Sequence, residues 1–212
     1  MKTFLMTSFT IIILLIGFTA CDNDNNITNS NNNNTVTIIG TGNVVSDTVT
    51  LAAFHTVKNL ASYDVKITQG SPQQVILKAQ RNILDVLKFE VVNEELLLAV
   101  QNNTSIQTSL GIKAEITIPE ITRVGIIGAG DFELSGGNED ILYIDITGAG
   151  NVMAYGLDVD SCYIITTGVG NCFVKVNNLL NVTITGVGTV YYKSNPSINS
   201  TITGVGSVIN DN

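Results

Sequence analysis

The chain has 212 residues, 44% of them hydrophobic, and a formal net charge of −8. This length is enough for one domain with its own hydrophobic core. Only Arg81 and Arg123 are arginines, and an acidic chain of this kind repels phosphate groups, which excludes nucleic acid as a partner.

The N-terminus has the pattern of a secretory signal peptide. Lys2 precedes a largely apolar run from Phe4 to Phe18, and small residues including Ala20 precede Cys21. The run is shorter than the roughly twenty apolar residues that a membrane-spanning helix needs. A cysteine directly after such a segment resembles the lipobox of bacterial lipoproteins.

That resemblance implies removal of residues 1–20 and attachment of acyl chains, palmitate among them, to the sulfur and new amino group of Cys21. Lipid at Cys21 would anchor the protein to a membrane without spanning it. We therefore expect a cell-envelope location, at the outer membrane. The alternative is an ordinary secreted protein in which Cys21 has no special role.

Residues 21–35 are rich in asparagine and lack both aromatic residues and any periodic pattern. Such a composition predicts a disordered tether. The stretch from Cys21 to Asn34 could reach about 45 Å when fully extended. The head of the protein is then predicted over residues 36–212.

The less regular half of the head, residues 36–120, has the sequence pattern of short strands separated by turns. Alternating apolar residues predict short strands within 36–45 and at 54–57, 63–70, 74–79, 88–92, 95–100 and 112–119. Residues 82–87 are predicted to form one helical turn, and Pro119 to close a strand. Gly40-Thr-Gly42 looks like a displaced copy of the phrase that dominates the second half.

The regular half, residues 121–212, repeats a Gly-x-Gly phrase five times. The leading glycines are spaced by 20, 20, 18 and 18 residues, at Gly128, Gly148, Gly168, Gly186 and Gly204. Self-similarity at this period, with β-branched runs between the glycines, predicts a stacked β-solenoid, or parallel β-helix, with coils of about 18–20 residues.

We use the word file for the residues at one fixed distance from the leading glycine of each repeat. Apolar files at even distances alternate with polar ones, as half-buried strands require. The file four residues after the glycine comprises Phe132, Val152, Cys172, Val190 and Val208; the file two residues before it comprises Ile126, Ile146, Thr166, Ile184 and Ile202. These residues are predicted to lie above one another.

The Gly-x-Gly phrase is predicted to form a sharp corner, because glycine tolerates positive φ and lets neighbouring coils approach closely. The small polar residue after it can hydrogen-bond to backbone groups of its own or the adjacent coil. A dinucleotide fingerprint is excluded because the third glycine and the following helix are missing. A calcium-binding β-roll would need more carboxylates than Asp131 alone.

Cys162 and Cys172 both fall in apolar files. They are expected to be buried free thiols that pack as small hydrophobic groups. The alternative is a disulfide bridge across one coil, which an oxidising envelope compartment would allow, although their positions on opposite sides of the coil favour free thiols. His55 is the sole histidine, and no metal or cofactor is predicted.

The order of phrases along the head resembles the head GIN domain family of envelope lipoproteins. The phrases are Gly40-Thr-Gly-Asn-Val-Val45, Phe54 with Val57, Tyr63-Asp-Val-Lys-Ile-Thr-Gln-Gly70, Asn82-Ile-Leu-Asp85, Ile116-Thr-Ile-Pro119 and the Gly-Ala-Gly repeats. This resemblance implies an all-β, right-handed β-solenoid head, and an adhesin-like or structural envelope role without catalysis. The family offers no catalytic residues to carry over.

The first functional hypothesis is a non-enzymatic head that binds a glycan, a neighbouring cell or an envelope protein. Stacked coils create long flat faces suited to extended ligands. The candidate face is an outward threonine strip made of Thr147, Thr167, Thr183, Thr185, Thr201 and Thr203. The plainer interpretation is that threonine simply suits an exposed strand; the paired threonines are too few for an ice-binding plane.

The alternative function is a β-helical enzyme or binding module that acts on polysaccharide. Such an enzyme needs paired carboxylates in a groove. Asp131 and Glu133 lie two apart on one strand, but the next repeat has Asn151 and Met153 in their place, and no tryptophan is present to stack on sugars. A solvated acidic surface explains these residues better.

A further hypothesis concerns assembly. The last repeat ends near Asn212 without an obvious cap, which leaves a strand edge exposed. Ser207, Asn210 and Asp211 can blunt that edge, or the edge can pair with a second copy of the chain.

Overall fold

A computed structural model of the protein describes residues 35–212. Within this range there are sixteen strands and one helical turn, so the predicted all-β class is confirmed. The predicted signal peptide, Cys21 and nearly all of the tether lie outside the described residues.

The less regular half contains β1 to β9 and the helical turn α1. Their bounds are β1 Val36–Ile39, β2 Val44–Val49, β3 Thr56–Asn59, β4 Asp64–Gln69, β5 Gln74–Gln80, α1 Arg81–Leu84, β6 Leu87–Val92, β7 Glu95–Val100, β8 Thr104–Gln107 and β9 Lys113–Ile118. The predicted strands are found within one or two residues. The strand that ends before Pro119 and a helical turn near Asn82 are confirmed, whereas β8 and most of β2 were not predicted.

The regular half contains β10 Arg123–Ile126, β11 Phe132–Ile146, β12 Val152–Thr166, β13 Cys172–Ile184, β14 Val187–Lys193, β15 Ser197–Ile202 and β16 Val205–Asn210. Neighbouring strands are parallel. The pairing follows the repeat, because Phe132 pairs with Val152, Val152 with Cys172, Cys172 with Val190 and Val190 with Val208. The predicted superposition of residues 18–20 apart is therefore confirmed.

Each repeat supplies two stretches of strand to this stack. The first stretch of β11 pairs with β4, and the second pairs with β10. In β13 the corresponding stretches pair with β14 and β15. Register shifts between Glu133 and Asn138 mark the place where β11 passes from one stretch to the next.

The inward files form one hydrophobic core. Phe132, Val152, Cys172 and Val190 are almost fully buried, and so are Ile126, Ile146, Thr166 and Ile184. The outward residues between them are half-buried or exposed. Removal of these aliphatic side chains from water is the dominant stabilising term for such a stack.

The first half joins this stack through mixed pairing. β4 lies between β9 and β11, and β3 lies between β7 and β10, with parallel pairing throughout. β5 is antiparallel to both β2 and β9, and β6 is antiparallel to β7. Fourteen of the strands in residues 35–212 belong to one curled, open sheet, so the predicted right-handed β-solenoid class stays a prediction.

The Gly40-Thr-Gly42 phrase is not a sixth layer of the stack, contrary to its resemblance to the corner. Gly40 follows β1, which pairs only with β8 among the described residues, and its nitrogen donates to the carbonyl oxygen of Gln107 at 2.9 Å. The layer beneath Gly128 is instead formed by Ala61, whose carbonyl oxygen accepts a hydrogen bond from Ala129 at 2.6 Å. A backbone contact at this position requires no glycine in the lower layer, so no Gly-x-Gly phrase marks Ala61 in the sequence.

The corner positions require glycine mainly because the backbone of the neighbouring layer lies so close, and less because of their φ angles. A Cβ atom on Gly148 would overlap the carbonyl oxygen of Gly128, and one on Gly168 would overlap that of Gly148. The leading glycines do not have the positive φ angle that excludes other residues, whereas the second glycines Gly130 and Gly150 do, at 103° and 155°. Two reasons were predicted for these glycines, and the close approach of neighbouring repeats is the one that applies to every leading glycine.

The polar residues after each corner form a hydrogen-bonded ladder between layers. The side-chain oxygen of Asp131 accepts the backbone N–H of Asn151 at 2.7 Å, and that of Asn151 accepts the N–H of Asn171 at 3.0 Å. The amide oxygen of Asn171 in turn accepts the N–H of Thr189 at 2.8 Å. The predicted role is confirmed for Asp131, Asn151 and Asn171, since each satisfies a backbone donor in the adjacent repeat.

Cys162 and Cys172 are buried free thiols, as expected. Burial raises the pKa of the Cys172 thiol to about 12. Burial, and to a smaller extent the neighbouring Cys172, raises the pKa of Cys162 well above its usual range. Both sulfurs therefore act as small apolar groups in the core.

Candidate binding surface

The predicted threonine strip is brought together on the surface. Thr147, Thr167, Thr185 and Thr203 are exposed and lie in one file. Each backbone nitrogen donates to the preceding layer, with Thr147 bonded to Ile126 at 2.8 Å and Thr203 to Ile184 at 2.9 Å. With strands about 4.8 Å apart, the four hydroxyls span about 14 Å. Thr183 and Thr201 pair with each other in a parallel file of the same sheet face.

An apolar file runs beside these threonines. Its residues lie one position after each leading glycine, so each follows its threonine by two, and bridges join Ala149 to Val169 and Val169 to Val187. Val169, Val187 and Val205 are 56%, 47% and 71% exposed. We define the corner strip as Thr147, Ala149, Thr167, Val169, Thr185, Val187, Thr203 and Val205.

The apolar residues of the corner strip are not part of the hydrophobic core, because they are exposed. Isolated exposed aliphatic residues are common on protein surfaces, but contiguous exposed ones often mark interaction sites. Within residues 35–212, no side-chain hydrogen bond engages the four threonine hydroxyls of the strip. It therefore presents a row of free hydroxyl groups beside a row of methyl groups.

A second outward stripe was missed by the sequence analysis. It lies five residues after each leading glycine and consists of Met153, Phe173, Tyr191 and Ile209, which are in register. The rings of Phe173 and Tyr191 stack with centroids 4.9 Å apart and planes at 6°. The signal was present in the sequence, because this file changes from charged Glu133 to apolar residues in the later repeats.

We call these four residues the aromatic stripe. The contacts of its rings determine whether the stripe could bind a ligand. Each ring covers a face of its neighbour, and Tyr155 contacts Phe173 edge-on with centroids 5.8 Å apart. Lys193 places its ammonium group 4.6 Å from the Tyr155 ring centroid. Ring faces used in this way stabilise the sheet surface and are not free to stack on a ligand.

The carboxylates considered for catalysis have structural partners. Asp131 belongs to the polar ladder, and Glu133 accepts a hydrogen bond from Lys66 Nζ at 2.7 Å. Glu139 is buried, where its Oε1 accepts the backbone N–H of Ile121 at 2.6 Å, and burial raises its pKa. The side chains needed for a carboxylate pair are thus engaged in maintaining the fold.

The cleft that contains Asp131 and Glu133 is strongly polar. It has a volume of about 310 Å³ and is also lined by Asp64, Lys66 and Glu115, unlike the mostly apolar pockets that bind small molecules. In the part of the chain that the structure describes, no three His, Cys, Asp or Glu side chains lie close enough to hold a metal ion. The same residues contain no helix long and apolar enough to cross a membrane.

Comparison with protein families identifies the head. Residues 53–144 and 123–196 match the family described as "Putative auto-transporter adhesin, head GIN domain". Together the two matches span more than half of the chain. The chain belongs to the head GIN domain family. The resemblance drawn from its sequence phrases is confirmed.

A solved structure shares the fold of the GIN head, and others are similar to it at lower scores. A crystal structure of a "putative adhesin" from Bacteroides fragilis matches with a TM-score of 0.56 and 18% identity, over 82% of this chain and 99% of that one. A "Putative lipid binding protein" from Parabacteroides distasonis matches at 0.46 and 17%, over 84% and 100%. A "putative adhesin" from Parabacteroides merdae matches at 0.43 and 14%, over 83% and 99%. No curated protein matches the chain.

Within the GIN head, the structure places the six predicted threonines on one sheet face and its adjoining corner. It adds the exposed apolar file beside them. Cys21, the predicted lipid attachment site, lies outside the described residues.

Proposed function

We propose that this GIN domain protein is a lipid-anchored protein of the bacterial outer membrane whose head binds an extended glycan without catalysis. The observation that carries the proposal is the corner strip, where exposed hydroxyl and methyl rows repeat with the spacing of the strands. The family description and the name "putative adhesin" of the structural relative from Bacteroides fragilis support an adhesin-like role.

The chemistry of the strip suits a polysaccharide. Sugars present hydroxyl groups and patches of C–H bonds in alternation, so both rows can find complementary partners on one chain. Repetition over four layers would give several weak contacts, whose combined effect raises the apparent affinity for a repeating ligand. An envelope protein that presents an extended segment is the competing ligand.

We further propose that the head winds as a right-handed β-solenoid. The support is the in-register parallel pairing of β11, β12 and β13, together with the Gly-x-Gly corner in every repeat. In this architecture the corner strip is a straight edge parallel to the stacking direction.

A polysaccharide-cleaving enzyme is the less favoured function. Asp131 and Glu133 do line one cleft, together with Asp64 and Glu115. However, Asp131 accepts the backbone N–H of Asn151 and Glu133 accepts a hydrogen bond from Lys66. Glu139 likewise accepts a backbone N–H, from Ile121. These contacts favour binding over catalysis at this surface.

The anchor is tested by fractionation of cells that produce the full chain or its Cys21→Ala variant. We expect the unaltered protein in the outer-membrane fraction, labelled by radioactive palmitate, and the variant unlabelled and released from membranes. Ser30→Ala is the matched control, because it changes the same predicted tether without removing the thiol. Equal membrane retention and labelling of all three would disprove lipid attachment at Cys21.

The binding face is tested with a glycan array and the Cys21→Ala chain. A triple variant, Thr167→Lys with Thr185→Lys and Val187→Lys, should weaken binding to the best glycan at least tenfold, because bulky charges interrupt both rows of the strip. The control places one lysine in the aromatic stripe, at exposed Met153, and should bind normally.

The proposed binding site and the proposed class of ligand would be contradicted by different results. Unchanged binding by the triple variant would show that the corner strip is not the site while leaving the adhesin role intact. Absence of glycan binding, together with capture of one envelope protein that the triple variant loses, would replace the glycan by that protein as ligand.

A further inference from the structure

The outer edge of the last layer is open in the part of the chain described here. Among these residues, β15 pairs only with β13, and β16 only with β14. Every residue of β15 is exposed. Ile198 and Ile202 continue two core files, yet each is 39% exposed, whereas Leu180 and Ile184 beneath them are fully buried.

Apart from Pro196, which directly precedes β15, this edge has few of the devices by which proteins usually prevent edge pairing. Edge strands are commonly protected by charged side chains, bulges or a covering segment. Residues 194–210 contain no Asp, Glu, Lys, Arg or His, although the whole chain carries a net charge of −8. Two copies that meet at this end therefore avoid the like-charge repulsion that other parts of their surfaces would produce.

The sequence of β15 is self-complementary. Its core-facing residues read Ile198, Ser200 and Ile202, a pattern that is the same in both directions. When two such strands pair antiparallel about Ser200, Ile198 of each copy faces Ile202 of the other, and the two Ser200 hydroxyls meet at the axis. Side chains directly opposite in an antiparallel pair lie close enough to pack or hydrogen-bond.

We propose that the protein forms a two-fold symmetric dimer through this edge, with β15 of one copy antiparallel to β15 of the other about Ser200. The pairing covers both exposed isoleucines and gives hydrogen-bond partners to the open strand edge. A contact of this kind is isologous and closed, so assembly stops at two copies. The dimer does not require the glycan proposed for the corner strip, and it places Thr203, the last threonine of that strip, at the border of the interface.

The first test measures mass in solution. The full chain with Cys21→Ala, which removes the thiol outside the core, should have twice the monomer mass by light scattering. Asn199→Lys introduces a charge at the exposed edge and should reduce the mass to that of a monomer. Asn181→Lys is the matched control, because Asn181 pairs with Asn199 one layer further in, and it should remain dimeric.

The second test fixes the register. In the same background, Ser200→Cys should give a disulfide-linked dimer under mild oxidation, because opposed residues in an antiparallel pair have Cα atoms about 4.5–5.5 Å apart. Ser197→Cys should not, since in this register Ser197 faces Thr203 of the second copy. A native monomer at tens of micromolar would overturn the proposal, as would a dimer that Asn199→Lys leaves intact or one that crosslinks at Ser197 instead.

Discussion

Gly168→Ala is expected to lower the free energy of unfolding by at least about 4 kcal/mol, enough to prevent stable folding of the repeat layers. The added Cβ atom would overlap the carbonyl oxygen of Gly148 and the backbone of Thr147. Neither can move away easily, because the same carbonyl accepts the backbone N–H of Val169 at 2.9 Å. The overlap can be relieved only by breaking the ladder that joins two layers.

Urea unfolding followed by far-ultraviolet circular dichroism measures this effect. Gly42→Ala is the control, because Gly42 has a φ of 76° and nothing within 4 Å of the position of an added Cβ. It should cost only about 1 kcal/mol, the usual penalty for a left-handed backbone conformation. If the two variants were equally destabilised, close approach would not be the reason for the corner glycines.

The regular half of the head was predictable because its repeat couples sequence position to spatial position. Once Gly148 is placed above Gly128, the register of Val152 on Phe132 and of Asn151 on Asp131 follows without further information. The inward files and the polar ladder could therefore be assigned from periodicity alone. The threonine strip follows from the same register, because its outward direction is set by strand alternation.

The first half could be predicted only as a set of strands. Its pairings are between segments far apart in sequence, such as β5 with β2 and β9, and no repeat indicates which edges meet. The layer beneath Gly128 illustrates the difficulty, since Ala61 takes the place that the Gly40 phrase seemed to offer. Short β8 was missed because Thr104–Gln107 has little apolar character.

The binding surface could not be predicted from the sequence alone, for a different reason. Alternation predicts that a residue faces outward, but it does not show whether a neighbour covers it. Val187 and Phe173 are both outward and apolar, yet Val187 is exposed at the corner whereas Phe173 is stacked on Tyr191. Only the contacts separate a free binding surface from a packed one.

Phe132→Ala is expected to cost about 3–5 kcal/mol, because it removes one of the largest fully buried side chains from the core. Phe132 is paired with Val65 on one side and Val152 on the other, so it lies where the less regular half meets the repeats. A cavity there would be enclosed by paired strands that cannot collapse without losing hydrogen bonds. The loss should appear as a lower urea midpoint.

Phe173→Ala provides the matched control, because it deletes the same side chain from the outer face of the sheet. Phe173 is half-buried, and its main loss is the stacked contact with Tyr191, so about 0.5–1.5 kcal/mol is expected. A cost for Phe132→Ala as small as that for Phe173→Ala would mean that the file of Phe132, Val152, Cys172 and Val190 is not a continuous packed core. In that case the exposed rows of the corner strip would lose the rigid support that a repeating ligand requires.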